Sequence, residues 1–329
     1  MLYNNLGNSD MLISKIGLGT LHHGVYVGLK ESERLINKAI DLGINFIETA
    51  PIYGKGHSES LVGKNIKHFR SEIFLSTKVG LVQDTLPSGD FGVKNQVLSK
   101  KNIKASVENS LKSLQSDYID LLQLHAFDSS TPIEETFEVL EELRKEGKIR
   151  YFGCSNYSPS ELNIALQLNN PFFVSCQAHY NIVERFVEEK LLPICSEKKM
   201  GVIFNRVLAR GTLSNKYLNG LIPSQSRAYS SNRIQKLLEP EFLSMIEVLQ
   251  QWAKEKQMSV IQCGLSWIIS RPLSNCALIG VRSEEQLVEC IKSIEFPISL
   301  KEWEELDEIF ENNHWLAEIL KKPKVYLEK

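Results

Sequence analysis

The sequence predicts one α/β domain over residues 1–329, a (β/α)8 TIM-type barrel, and three observations predict it. Short β-branched or apolar runs alternate eight times with longer amphipathic segments. No Pro/Gly/Ser-rich linker and no repeat of fixed period divides the chain. Polar residues end the apolar runs on their C-terminal side, which is where a parallel barrel gathers its chemistry. A chain of 329 residues is long enough to bury most of its apolar surface in one such domain.

In order, strands are expected at 15–18, 45–48, 73–78, 118–125, 150–154, 173–177, 202–205 and 276–279. Helices are expected between and after them at 31–42, 58–66, 101–114, 133–146, 160–168, 187–198, 240–255 and 284–293. The first helix stops at Gly43 and the fourth at Gly147, as helices that end in a left-handed residue do. The fifth opens on Ser158-Pro159-Ser160-Glu161 and the eighth on Ser283-Glu284-Glu285, both with capping chemistry. The stretch 214–236, with Gln225, Ser226, Arg227 and Tyr229, reads as a mobile loop over the mouth. The third loop, 81–99, and the tail, 314–329, are expected to border the same mouth, with Trp315 as a pocket wall or an anchor.

Eight alternations also fit an open doubly wound sheet, and the polar residues decide between the two. An open dinucleotide-binding sheet needs GxGxxG after its first strand, yet Gly17-Leu18-Gly19 is followed by Thr20, Leu21 and His22. The expected strand ends instead carry Glu48, Lys78, His125, Ser155 with Asn156, and Gln177, which a closed barrel collects at one mouth.

Tyr53 joins this set from the loop after the second strand. A phenol is a weak acid at neutral pH unless a nearby cation stabilises its anion, a charge that Lys78 supplies, with Glu48 to hold Lys78 in place. His125 is a donor that can orient a substrate oxygen. An acid, a cation, a carboxylate and an imidazole at the same end of three successive strands suit hydride delivery to a carbonyl, which builds negative charge on oxygen.

Several segments resemble the aldo-keto reductase family in the right order across nearly the whole chain. They are GLGT at 17–20, GINFIETAPIYGKGHSESLVGK at 43–64, IFLSTKVG at 73–80, DYIDLLQLH at 117–125 and GKIRYFGCSN at 147–156. QAHYN at 177–181, LARGTLSNKY at 208–217 and IGVRSEEQL at 279–287 continue the series. The resemblance implies a barrel, an extended nicotinamide cofactor held without a Rossmann fold, and a tetrad of Glu48, Tyr53, Lys78 and His125. It implies that Ser155, Asn156 and Gln177 hold the nicotinamide carboxamide, whose donors and acceptor match amide and hydroxyl groups. The bland alternative is that Ser155 and Asn156 cap the fifth helix. Gly19, Thr20, Asn205 and Arg206 join the expected cofactor-binding residues. Arg282 and Gln286 resemble the grip on an adenosine 2′-phosphate, which favours NADPH over NADH.

The chain departs from the family's pattern at three places. Glu48 stands where the commonest carboxylate is Asp, one methylene shorter. Asn205 stands where many relatives place an aromatic that stacks on the nicotinamide. Cys290 replaces an Asn often found on the eighth helix, leaving Arg282 as the clear cation of the phosphate site. Tyr26-Val-Gly-Leu-Lys30 has the YxxxK spacing of short-chain dehydrogenases but lacks their glycine fingerprint, and is read as chance. His22 and His23, adjacent and so divergent, are read as lining the pocket rim.

A net charge of -2 from 38 basic and 40 acidic residues mixed along the chain argues against a nucleic-acid partner. Without a basic leader or an apolar run near 20 residues, the expectation is a cytoplasmic enzyme with no membrane partner. Six scattered cysteines without CxxC pairs are expected as reduced core thiols. The leading reading is reduction of an aldehyde, ketone or sugar carbonyl, which can run in reverse as an alcohol or aldose dehydrogenase. The alternative from another class is a nicotinamide-sensing regulatory subunit with little turnover. A metal-dependent barrel hydrolase would need converging ligands that the strand ends do not supply. The sequence leaves the oligomeric state open.

Overall fold

The computed structural model describes residues 1–85, 91–95, 97–218, 220–224, 226–235 and 237–311. Part of the third loop, Gln225, and the tail with Trp315 lie outside the described residues. The strands are β1 (Tyr3–Asn5), β2 (Leu12–Ser14), β3 (Ile16–Gly19), β4 (Phe46–Glu48), β5 (Phe74–Val79) and β6 (Leu81–Thr85). They continue as β7 (Phe91–Asn95), β8 (Ile119–Leu124), β9 (Ile149–Ser155), β10 (Phe173–His179), β11 (Gly201–Asn205) and β12 (Cys276–Ile279). All eight expected strands form one closed barrel in the order β3-β4-β5-β8-β9-β10-β11-β12. The pairs are parallel, and β12 returns to β3 with Ala277 opposite Ile16 and Ile279 opposite Leu18.

The helices are α1 (Leu29–Asp41), α2 (His57–Ile66), α3 (Lys100–Leu114), α4 (Ile133–Lys145), α5 (Pro159–Leu166) and α6 (Leu191–Glu197). After them come α7 (Asn232–Gln235), α8 (Pro240–Glu255), α9 (Val260–Ile269), α10 (Glu284–Lys292) and α11 (Leu300–Glu311). Gly43 and Gly147 follow α1 and α4 at φ 88 and 75, the left-handed stops read from sequence. Ser158 and Glu161 form a reciprocal capping box on α5, so Ser155 and Asn156 are not its caps.

Four expectations are corrected. The sixth helix begins at Leu191 rather than 187, because the preceding chain turns around Asn181, whose Oδ1 accepts the N–H groups of Val183 and Glu184. The third loop contains an antiparallel hairpin, with Leu81 of β6 opposite Asn95 of β7. The stretch 214–236 holds two short 3-10 turns and α7, drawn together by a small core of Tyr217, Ala228 and Ile234. Helices α9 and α11 were not expected from sequence. Eight of the ten residues of α9 are buried, so it shows no amphipathic stripe.

The main core lies between strands and helices. A second core fills the barrel's lower lumen, where Leu6, Met11 and Ile13 around the β1–β2 hairpin meet Phe46, Leu121, Val174, Ile203 and Leu278. The hairpin therefore plugs the bottom and leaves the opposite mouth for chemistry. All six cysteines are buried and none is in a disulfide. Among the described residues no helix is long and apolar enough to cross a membrane.

Candidate active site

The mouth is assembled from strand ends. Glu48 is the last residue of β4, Lys78 the penultimate one of β5, and His125 follows β8 directly, its N–H bonded to Val79 O at 2.8 Å. Tyr53 opens a one-turn 3-10 helix after β4, and the next three residues, Gly54, Lys55 and Gly56, turn through positive φ of 57, 58 and 83. Two glycines make that turn inexpensive. A buried hydroxyl cluster fastens it: Thr20 Oγ1 donates to Glu48 O at 3.0 Å and lies 2.7 Å from Ser58 Oγ, with Thr49 Oγ1 3.0 Å from the same atom.

At the centre the Lys78 ammonium is paired with the Glu48 carboxylate, both almost fully buried. Lys78 Nζ also donates to Tyr53 Oη at 2.9 Å and to Thr49 O at 3.3 Å. Tyr53 Oη donates in turn to Glu48 Oε1 at 3.4 Å. The His125 ring stands edge-on to Tyr53, with centroids 6.3 Å apart and planes at 84°. Burial pushes the Tyr53 phenol above its ordinary range, and the Arg206 guanidinium opposes that shift. Burial also lowers Lys78 well below the usual ammonium value, and the Glu48 carboxylate is what favours its proton. Burial and the Lys78 charge hold His125 well below its usual value, so it stays a neutral imidazole. The set can deliver a proton from the phenol and stabilise the phenolate left behind.

Beside it lies a cluster of amides. Ser155 Oγ donates to Gln177 Oε1 at 2.8 Å, and Gln177 Nε2 donates to Glu48 Oε1 at 3.3 Å. Asn156, held at φ 61, donates to His125 O at 2.9 Å and to Ser155 Oγ at 3.1 Å. Asn205, at the end of β11 and paired in register with His179, carries a buried Oδ1 with no hydrogen-bond partner among the described residues. An orphaned acceptor beside three amide and hydroxyl groups fits a primary carboxamide such as that of nicotinamide, which brings two N–H donors and one acceptor. If these groups hold a nicotinamide, Asn205 meets it through a hydrogen bond and offers no stacking surface.

The structure does not bring every expected residue to the mouth in the same way. Gly19 sits against Glu48: a Cβ there would be 3.6 Å from Oε2. Thr20 is fully buried with its hydroxyl turned to Glu48 O and Ser58. Arg206 follows β11 at φ 55 and accepts from Asn181 Nδ2 through its carbonyl at 3.0 Å. At the far side Ser283 caps α10, and Gln286 Oε1 accepts the Arg282 N–H at 2.9 Å, which binds Gln286 into the cap beside Arg282. His22 and His23 are both buried in the turn that follows β3, where three N–H groups converge on His22 O. Sequence reasoning missed His179, whose Nε2 lies 3.0 Å from Asn156 Oδ1. The signal was available, since residues 177 and 179 share one face of a strand. Among the described residues no group of three or more His, Cys, Asp or Glu is placed to hold a metal ion.

Comparison with known proteins supplies the family. The model of the aldo/keto reductase family matches residues 15–311. The chain is 34% identical to the aldo-keto reductase YhdN of Bacillus subtilis, over 95% of this chain and 94% of the relative. It is 32% identical to the L-glyceraldehyde 3-phosphate reductase of Escherichia coli K12, over 96% and 95%. Its structure is similar to that of the glycerol dehydrogenase AKR11B4 from Gluconobacter oxydans, with TM-score 0.83 and 28% identity over 99% and 98% of the two chains. The chain belongs to the aldo-keto reductase family, nicotinamide-dependent oxidoreductases that act on small carbonyl compounds.

Proposed function

We propose that Tyr53 is the proton donor of this carbonyl reductase and that Glu48, Lys78 and His125 complete its catalytic set, in one catalytic domain over 1–329 working in the cytoplasm. The observation that carries this reading is the bond from Lys78 Nζ to Tyr53 Oη at 2.9 Å, with Glu48 against both groups. Bound at the amide cluster, the cofactor supplies the hydride. Tyr53 passes its proton to the substrate oxygen as negative charge builds there, and Lys78 stabilises the resulting phenolate. Glu48 keeps the ammonium protonated and aimed. Neutral His125 donates a hydrogen bond that orients the carbonyl. Ser155, Asn156, Gln177 and Asn205 hold the carboxamide, and Gly19, Thr20 and Arg206 border the cofactor between its ends. Arg282 and the Ser283-capped start of α10, with Gln286 bracing the turn, receive the adenosine 2′-phosphate, so NADPH is preferred over NADH.

The substrate is an aldehyde, ketone or sugar carbonyl. A panel of such compounds, offered with NADPH and with NADH while the reduced-nicotinamide absorbance is followed, tests this. Turnover faster with NADPH is the expected result. Tight nucleotide binding with no turnover on any member would favour the regulatory alternative instead.

A further inference from the structure

We propose that Tyr26, in the loop after β3, is a positioning residue that sets the Arg282 guanidinium for a nucleotide 2′-phosphate and so governs the preference for NADPH. The proposal rests on the reading of Arg282 given above. The YxxxK spacing that drew attention to Tyr26 in the sequence has no part in it, since the ring's neighbours are His22 and Arg282.

Tyr26 is 63% exposed, so burial does not fix its ring, but the backbone beneath it is fixed. His22 O accepts the N–H groups of Val25, Tyr26 and Val27 at 3.3, 2.9 and 3.0 Å, and Gly24 N–H bonds Val27 O at 3.1 Å. The His22 ring then meets Tyr26 edge-on, with centroids 5.5 Å apart and planes at 71°. His22 itself is buried against Gly280, where a Cβ would come within 3.3 Å of its Cδ2. From the neighbouring loop after β12 the Arg282 guanidinium carbon lies 4.9 Å from the Tyr26 centroid, within range of a cation–π contact. The Arg282 backbone is anchored by Gln286, and the turn by the Ser283 cap.

Such a contact sets the arginine in a useful way. A guanidinium held against a ring face makes that contact through its π face and not through the in-plane N–H donors that a bidentate phosphate bond uses. A half-buried arginine still loses rotamer freedom on gripping a phosphate, and a partner that orders it beforehand removes part of that cost. Because an adenosine lacking the 2′-phosphate does not call on Arg282 in this way, the effect of Tyr26 is confined to the phosphorylated nucleotide.

The test is calorimetric titration with adenosine 2′,5′-bisphosphate and with adenosine 5′-monophosphate, which needs no turnover. Tyr26→Leu is expected to weaken the bisphosphate about three-fold and leave the monophosphate unchanged, whereas Tyr26→Phe keeps wild-type affinity for both. Arg282→Gln is expected to weaken the bisphosphate about ten-fold. If Arg282→Gln has that effect but Tyr26→Leu matches the wild type, or weakens both nucleotides equally, Tyr26 does not position Arg282 and the proposal is overturned. If Arg282→Gln changes nothing, the phosphate reading itself fails and takes the proposal with it.

Discussion

His23 shows what a single side chain can hide from a sequence. It is fully buried, neither ring nitrogen has a hydrogen-bond partner among the described residues, and burial pushes its pKa down to about 4. In the folded chain it is neutral, while in the unfolded chain it titrates near 6.5. Between those values the unfolded state binds a proton that the folded state does not, so stability is intact above about pH 6.5 and is lost as pH falls toward 4. At pH 5 the loss from this one group is about 2 kcal/mol. His23→Leu should therefore narrow the gap between urea midpoints at pH 7 and pH 5, and an unchanged gap would assign the acid sensitivity to other groups. Glu48, Lys78 and His125 were legible because a strand end fixes where a residue goes, and Tyr53 because it sits in a turn next to one. The burial of His23 and the role of the Thr20 hydroxyl were not, since what surrounds them comes from elements that only the closed fold brings near.

At the level of elements, alternation and caps exposed the eight barrel strands and eight of the helices, most within two residues of their ends. Elements that lack a pattern escaped: α9 is apolar on all sides, and the β6–β7 hairpin lies in a stretch that reads as loop. The last helix escaped too, and long-range polar contacts hold it. Asp307 of α11 accepts from Trp267 Nε1 at 2.9 Å, Arg271 at 2.8 Å and Arg185 at 3.0 Å. Arg185 also grips Glu188, in the segment just before α6. Asp307 thereby ties α11 to α9 and to the loop after β10, the strand that carries Gln177 and His179. Asp307→Ala leaves two guanidinium groups without their shared carboxylate and should cost about 3 kcal/mol, read from denaturant midpoints. Hydrogen exchange should rise in α11 first, and uniform exchange across the chain would contradict this account of the helix.

Over the whole molecule, closure does two things at opposite ends. At the bottom the N-terminal hairpin must approach the barrel closely: Gly7, at φ 56, would place a Cβ 2.4 Å from Gly201 N and 2.6 Å from Val174 O. Both are backbone atoms that cannot step aside, so Gly7→Ala should cost about 3 kcal/mol in unfolding experiments while leaving turnover per folded molecule unchanged. At the mouth, closure brings together groups from three separate βα units, none of which makes a site alone. The most direct test of that convergence is Tyr53→Phe, assayed by steady-state carbonyl reduction alongside nucleotide titration. The account predicts a fall in kcat of about two orders of magnitude or more with cofactor affinity retained. A Tyr53→Phe enzyme that reduces carbonyls at the wild-type rate would contradict it.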